Sequence, residues 1–262
     1  MFEIVLDPGH YTGYNPGAIA GFYEGNNNFE ACVYWKEYFE SHYSDVRVTL
    51  TKTTMAENPS LKERGAKGRN TDLFYSWHSN GVDNPAAHGV SSFGSVRRDD
   101  EALCNAISEV VVKVFKECGS TDTYYRGFTE RPWDDNLKDV DYYGVLRSAT
   151  LLNPDQAASG AKPVNSLCKN AIIIEHGFHS NPAECAVLNN PAYLKKIVEE
   201  EIKAIAKYFN IKEKEPEPSN YYYFAIISAN KNKKYAEEDV AEAKKKGFKD
   251  AYVKYAPRDG AL

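Results

Sequence analysis

The chain has no apolar run approaching the ~20 residues that a helix needs to cross a bilayer, so membrane insertion by a spanning helix is not expected. It also lacks a positive charge balance. Against 37 Asp and Glu stand only 32 Lys and Arg, a formal net charge of −5. A nucleic-acid partner bound by phosphate neutralisation is therefore not expected. No CxxC pair occurs, and the five cysteines (Cys32, Cys104, Cys118, Cys168 and Cys185) are odd in number and irregular in spacing. That excludes a four-cysteine zinc site and favours free, mostly buried thiols over a disulfide framework. The opening residues MFEIVLDPGH carry neither a basic n-region nor a small-residue cleavage site, so they read as a first strand and not as a signal peptide. No HExxH-like motif fixes two metal ligands by local spacing.

What the chain does have is an ordinary globular composition, 42% apolar and 26% charged over 262 residues, enough to bury a real core. Tyrosine is abundant, 19 against 12 Phe. Its ring can stack on sugars or peptides while its hydroxyl hydrogen bonds, although most tyrosines serve as half-buried filler.

Phe2 to Leu6 predicts a strand running into an Asp-Pro-Gly turn, and Val46, Val48 and Leu50 alternate as in a second. From Asn28 the spacing of Phe29, Cys32, Val33, Trp35 and Phe39 predicts an amphipathic helix capped by Asn26 or Asn27. Ser60 to Glu63 is a capping box opening a helix that carries Arg64. Leu73 to Trp77 and Val90 to Phe93 read as strands, and Glu101 to Cys118 as the clearest helix, capped by Asp99 or Asp100 and ended by Gly119. Residues 120 to 170 are mostly polar, with an apolar island at Tyr142 to Leu146. Ala171 to Ile174 is a buried-type strand ending at Glu175, followed by helices opened at Pro182 and Pro191. This alternation predicts an α/β domain over residues 1–211, a mostly parallel twisted sheet flanked by helices. A charged, Pro-rich linker at 212–220 leads to a small βαβ module at 221–262, with strands at Tyr222–Ile227 and Ala251–Tyr255 around a helix at Tyr235–Lys246 that Gly247 caps.

In such a sheet the carboxyl ends of the strands share one edge, where ligands bind. His10, His78 and Glu175 each follow a strand closely, and Glu24 enters from the loop before the first helix. Two imidazoles and a carboxylate suit Zn2+ with one open position, and a second carboxylate suits a general base. A histidine at a strand end is more often a hydrogen-bonded structural group, and that reading is adopted for His42 and His88. His176 and His179 fit a loop, a supporting or a substrate-binding role.

From Ile4 to Phe209 the chain resembles the zinc-dependent N-acetylmuramoyl-L-alanine amidases of the amidase-3 family. The resemblance rests on IVLDPGH, on Gly17 with Glu24 and Asn28-Phe29, on LKERGAKGRNTDLFYSWHSN, on YYGVLRSA and on IIIEHGFHSNPAE, in that order. It implies cleavage of the amide between N-acetylmuramic acid and L-alanine of peptidoglycan. Zn2+ would be held by His10, Glu24 and His78, Glu175 would be the base, and Leu146, Arg147 and His176 would contact substrate. Arg64 is expected to buttress the sheet edge, and Arg147 can equally be a structural salt-bridge former. Departures from the family pattern are Tyr11-Thr12-Gly13 in place of Gly-Gly, Trp77 before the second His, and about twenty extra residues from Thr150 to Asn170, expected to rim the groove.

The tail resembles half of a SPOR-type peptidoglycan-binding repeat, which implies wall attachment or pairing with a second copy as a homodimer. Residues 212–262 hold 11 Lys or Arg against 9 Asp or Glu, and a solvated Lys-rich helix face explains that balance as simply as an anionic wall polymer does. A missing signal peptide favours a phage endolysin of a Gram-positive, Clostridium-like host, held in the host cytoplasm until release, over a host autolysin. A zinc peptidase cutting the stem peptide and a non-catalytic wall-binding protein on the same fold are the alternatives.

Overall fold

The computed structural model describes residues 1–157, 164–215 and 233–246. The chain separates into two units, Met1–Lys214 and Glu215–Leu262. The first runs β1 (Phe2–Pro8), α1 (Glu24–His42), β2 (Val46–Leu50), α2 (Leu61–Lys67), β3 (Leu73–Asn80), β4 (Val90–Gly94) and α3 (Glu101–Glu117). There follow β5 (Tyr125–Glu130), α4 (Gly144–Thr150), α5 (Pro154–Ala157), β6 (Ala171–Phe178), α6 (Pro182–Leu188) and α7 (Pro191–Tyr208). The six strands form one sheet in the order β2-β1-β3-β6-β4-β5. Every neighbouring pair is parallel except β4 with β6. The α/β expectation therefore holds, with two outer strands reversed. The carboxyl ends of β1, β3 and β6 share one edge, and those of β4 and β5 point to the other.

Alternation along the strands sorts side chains to two unequal faces. Ile4, Leu6, Leu73, Tyr75, Trp77, Ile172 and Ile174 pack in a large core with α1, α3 and α7. Val5, Phe74 and Ile173 pack in a smaller one with Val145, Leu146 and Ala149 of α4. By the same parity His78 and Glu175 belong to the thin α2/α4 face, whereas His176 faces α7. On that thin face the buried Asp7 of β1 takes two hydrogen bonds from Arg64 of α2, both 2.7 Å, and one each from Thr51 and Ser76. Arg64 thus ties α2 to the sheet immediately below the strand ends.

Several elements differ from the sequence reading for local reasons. Helix α1 begins at Glu24, four residues earlier than its apolar periodicity starts, and has no side-chain cap. The carbonyls of Asn15 and Tyr14 accept from the Glu24 and Gly25 amides, at 2.9 and 3.3 Å, so the loop itself satisfies the helix end. Asn26 and Asn27 are then free for other work, accepting from Gly13 N and donating to the Leu188 carbonyl. Helix α2 has the expected capping box at Ser60 and Glu63. Asp100 occupies the N-cap position of α3 without capping it. Its carboxylate accepts instead from the Ala171 amide, 3.1 Å away. Strand β5 and helix α4 lie in the stretch read as mostly polar, where no element is assigned from the sequence. The first is a half-exposed edge strand, and the second spans only seven residues, too few to show a helical period.

Lys212–Lys214, read as the start of the linker, hydrogen bond back to the end of α1 through Ser44 N to Lys212 O and Lys214 N to His42 O. In the second unit α8 spans Lys233–Lys245. The strands expected at Tyr222–Ile227 and Ala251–Tyr255, and the Gly247 cap, lie outside the described residues. Among the described residues no helix is long and apolar enough to cross a membrane.

Candidate metal and catalytic site

Beyond the end of β1 the chain turns through Gly9 into His10. A Cβ at Gly9 would lie 2.2 Å from the His78 ring, so only glycine lets the two segments approach this closely. His10 itself sits at φ 59°, a left-handed conformation that costs an ordinary residue about 1 kcal/mol. The buried Lys52 ammonium donates to its carbonyl and holds it there. The His10 and His78 rings meet edge to face at 4.9 Å.

Glu24, in the first turn of α1, reaches between them. Its Oε2 lies 3.3 Å from His10 Nε2 and accepts from Asn15 Nδ2 at 2.7 Å. Its Oε1 lies 3.1 Å from His78 Nδ1 and accepts from the Ser79 amide at 3.1 Å and from Asn28 Nδ2 at 3.2 Å. One donor atom from each of His10, Glu24 and His78 lies within 4.8 Å of the other two. Burial raises the Glu24 pKa, but the hydrogen bond from His78 and the charges of both histidines outweigh it and bring the carboxyl down to about 2. For His10, burial wins over the attraction of Glu24 and lowers the imidazole to about 4, leaving it neutral and able to donate a lone pair. For His78 the contest goes the other way. Burial opposes its proton, but the hydrogen bond and charge of Glu24 raise its pKa.

Glu175 stands opposite His78 in the β3–β6 register. Beyond this pair the register slips by one residue, a β-bulge on β6 where Gly177 adopts φ 74°. Bulges re-aim side chains at strand ends, and here His176 and Phe178 beyond Glu175 remain buried. Glu175 Oε2 is buried with no hydrogen-bond partner among the described residues. Burial raises its pKa to about 7, with His78 pulling it down and Glu24 pushing it up. A carboxyl poised near neutrality can both take and return a proton.

The other expected contacts fall elsewhere. Leu146, expected near substrate, has no exposed surface and packs against Val5, Phe74 and Ile173. His176, for which the sequence allows a supporting or a substrate-binding role, is also fully buried. Its Nδ1 lies 2.8 Å from the His78 carbonyl and its Nε2 2.7 Å from Glu201 of α7, which also accepts from Tyr75 Oη at 2.7 Å. Its ring stacks on Trp77 at 3.5 Å and 12°. Trp77 and His176 thus answer one another across β3 and β6, which accounts for the large residue before His78. Arg147 Nη1 donates to the carbonyls of Asp141 and Tyr142, and its guanidinium lies over Trp133 at 4.4 Å. These contacts, to carbonyls and a ring and not to a carboxylate as the salt-bridge expectation had it, bind α4 to the 131–142 excursion. The feet of the extra segment after Thr150 are joined at Leu151 and Asn165, near the start of β6 and away from Glu175. Its residues 158–163 lie outside the described residues. The imidazole rings of His42 and His88 hydrogen bond locally, to Ser41 and Tyr38 and to the Ala86 carbonyl.

Asn15 and Lys52 were not singled out from the sequence, and Asn28 was read as a helix start, not as a partner of Glu24. Asn28 was within reach, since it stands four residues after Glu24 and such pairs meet on a helix. Placing the helix start at Asn28 itself hid the pairing. Asn15 and Lys52 come from loops whose course no periodicity reveals.

Residues 4–207 match the family model described as N-acetylmuramoyl-L-alanine amidase. Among curated proteins, the chain is 26% identical over 230 residues to AmiA of Salmonella typhimurium and 25% identical to AmiA of Escherichia coli, in each case covering 79% of this chain and 76% of the relative. Among solved structures, the catalytic domain of CwlV from Bacillus (Paenibacillus) polymyxa superposes with a TM-score of 0.57 at 19% identity, covering 81% of this chain and all of that one. CwlD of Clostridioides difficile gives 0.56 at 23%, covering 80% and 99%. These two share the fold, and the family model spans most of the chain with the His10, Glu24, His78 and Glu175 positions inside it. The chain belongs to the amidase-3 family of N-acetylmuramoyl-L-alanine amidases.

Proposed function

We propose that this chain hydrolyses the amide between the lactyl group of N-acetylmuramic acid and L-alanine in peptidoglycan, using a Zn2+ held by His10, Glu24 and His78. The observation that carries the reading is the cluster of three donor atoms within 4.8 Å, set beside a buried carboxyl oxygen with no partner. Two imidazole nitrogens and one carboxylate oxygen fit a borderline-soft cation, and a site with three protein ligands leaves a position open for chemistry. The ion, when bound, supplies Lewis acidity to the scissile carbonyl and to the attacking water. The remaining steps belong to the chain. Glu24, ionised and held by Asn15, Asn28 and Ser79 N, keeps both histidines oriented. Glu175 accepts a proton from the attacking water and returns it to the amine of L-alanine as that group leaves. Asp7 and Arg64 lie beneath the site and do not react.

Digestion of purified peptidoglycan with mass analysis of the fragments tests this directly. New L-Ala amino termini on intact stems are the expected products. New ends inside the stem would replace the reading with a peptidase, and no new ends with a binding protein. For the C-terminal unit the same reading extends to wall attachment or pairing of two copies, supported by its likeness to half a SPOR repeat. A solution mass showing monomer alone removes the pairing.

A further inference from the structure

The substrate of the proposed reaction has a sugar on one side of the scissile bond and a peptide on the other, and the site described so far contacts neither. Two tyrosines beside it have no role in the core. Tyr11 and Tyr14 are 39% and 38% exposed, their ring centroids 5.0 Å apart. Tyr14 stacks on the His10 imidazole at 4.4 Å and 20°, so the aromatic surface is continuous with the metal-ligand cluster. Tyr11 stands at its outer end.

The loop that carries them is preformed. Tyr14 N donates to the Tyr11 carbonyl at 3.1 Å, Thr12 N to the Met55 carbonyl at 3.3 Å, and Gly13 N to Asn26 Oδ1 at 2.9 Å. Gly13 supplies the left-handed φ of 75° that the turn needs. The Tyr11 carbonyl sits so close to α1 that a Cβ at Gly25 would come within 2.0 Å of it. Little ordering entropy therefore remains to be lost when a ligand settles on the rings.

We infer that Tyr11 and Tyr14 form a carbohydrate-stacking subsite that receives a pyranose ring of the glycan strand next to the scissile bond. A pyranose has an apolar C–H face and a rim of hydroxyls, which match a flat ring ending in a hydroxyl. A charged peptide stem would call for a fixed cation, and among the described residues no Lys or Arg lies over either tyrosine ring. The catalytic consequence rests on the proposed amidase reading, whereas glycan binding does not.

The test measures chitotetraose binding by titration calorimetry for the wild-type chain, Tyr11→Ala and Tyr11→Phe, with thermal melts to confirm folding. It also measures KM on a glycan-linked muropeptide and on a lactyl-peptide without sugar. Loss of one stacked ring corresponds to about a 3- to 10-fold weaker affinity. Tyr11→Ala is expected to weaken chitotetraose binding and raise KM for the glycan-linked substrate by that factor. KM for the sugar-free substrate should not move, and Tyr11→Phe, which keeps the ring and loses the hydroxyl, should bind more tightly than Tyr11→Ala. If wild type cleaves the amide but Tyr11→Ala changes neither affinity nor KM, the subsite falls alone. Equal KM increases on both substrates would assign the rings to the peptide and overturn it. If wild type binds chitotetraose through Tyr11 but releases no L-Ala ends, the amidase reading falls and the subsite stands.

Discussion

Glu24 and Glu175 are both buried or half-buried carboxyls at one sheet edge, yet their surroundings push them in opposite directions. Glu24 is gripped by two imidazoles, two asparagine amides and a backbone N–H, and its pKa falls to about 2. Glu175 has an oxygen with no partner, and its pKa rises to about 7. Desolvation acts on both, so the number of donors decides the outcome. A carboxylate fixed as an anion is suited to holding a cation, and one left unpaired is suited to moving a proton.

The same substitution at the two positions breaks the comparison most sharply. Glu24→Gln removes the charge between the histidines, so the purified chain is expected to lose its metal and all measurable hydrolysis, checked by metal analysis alongside turnover. Chelation should reproduce that loss, and activity unchanged by a chelator would end the metal reading. Glu175→Gln is expected to keep one metal per chain while kcat drops about 10²- to 10⁴-fold, the usual span for a lost general base. A near-normal rate there would remove Glu175 as the base.

Arg64→Ala sharpens the comparison by testing a third carboxylate that is charged for structural reasons only. Burial raises the Asp7 pKa, but Arg64, Thr51 and Ser76 together lower it to about 2. Leaving Asp7 buried without Arg64 should cost about 3–5 kcal/mol, read as a fall in Tm. Because the folded pKa lies below the unfolded value near 3.8, wild-type stability from Asp7 is complete above about pH 4 and is lost as pH falls toward 2. This acid-sensitive branch, worth about 2 kcal/mol, should be absent from the pH–stability curve of Arg64→Ala.

The smallest effect is expected at His176. His176→Phe keeps a ring against Trp77 but leaves the buried Glu201 with Tyr75 as its remaining donor, so stability should fall by about 2 kcal/mol. KM for peptidoglycan fragments should stay unchanged. A raised KM with unchanged Tm would favour the substrate-binding role for His176 over the supporting one.

Much of this was legible in the sequence where one periodic element delivers one polar residue. The strands that lead into His10 and carry His78 and Glu175 could be read from short apolar runs, and with them the edge where the site forms. Less legible was whatever depends on two segments meeting. Leu146 and His176 stand beside informative motifs, yet strand parity and helix packing turn both inward. The reversal of β4 is set by pairing with β6, which no local pattern encodes. The start of α1 was missed because backbone carbonyls of the preceding loop took over a cap that sequence rules assign to a side chain.

That reversal has a practical meaning for anyone remodelling the molecule. Chain added after β4 or β5 departs from the side of the sheet opposite the histidines, so it can lengthen without prying at them. The 131–142 excursion and the segment joined at Leu151 and Asn165 both grow from that tolerant side. The turn between β1 and α1 has no such freedom, hemmed in by Gly9 and Gly25. Grafting a foreign loop should therefore succeed first where β4 and β5 run out.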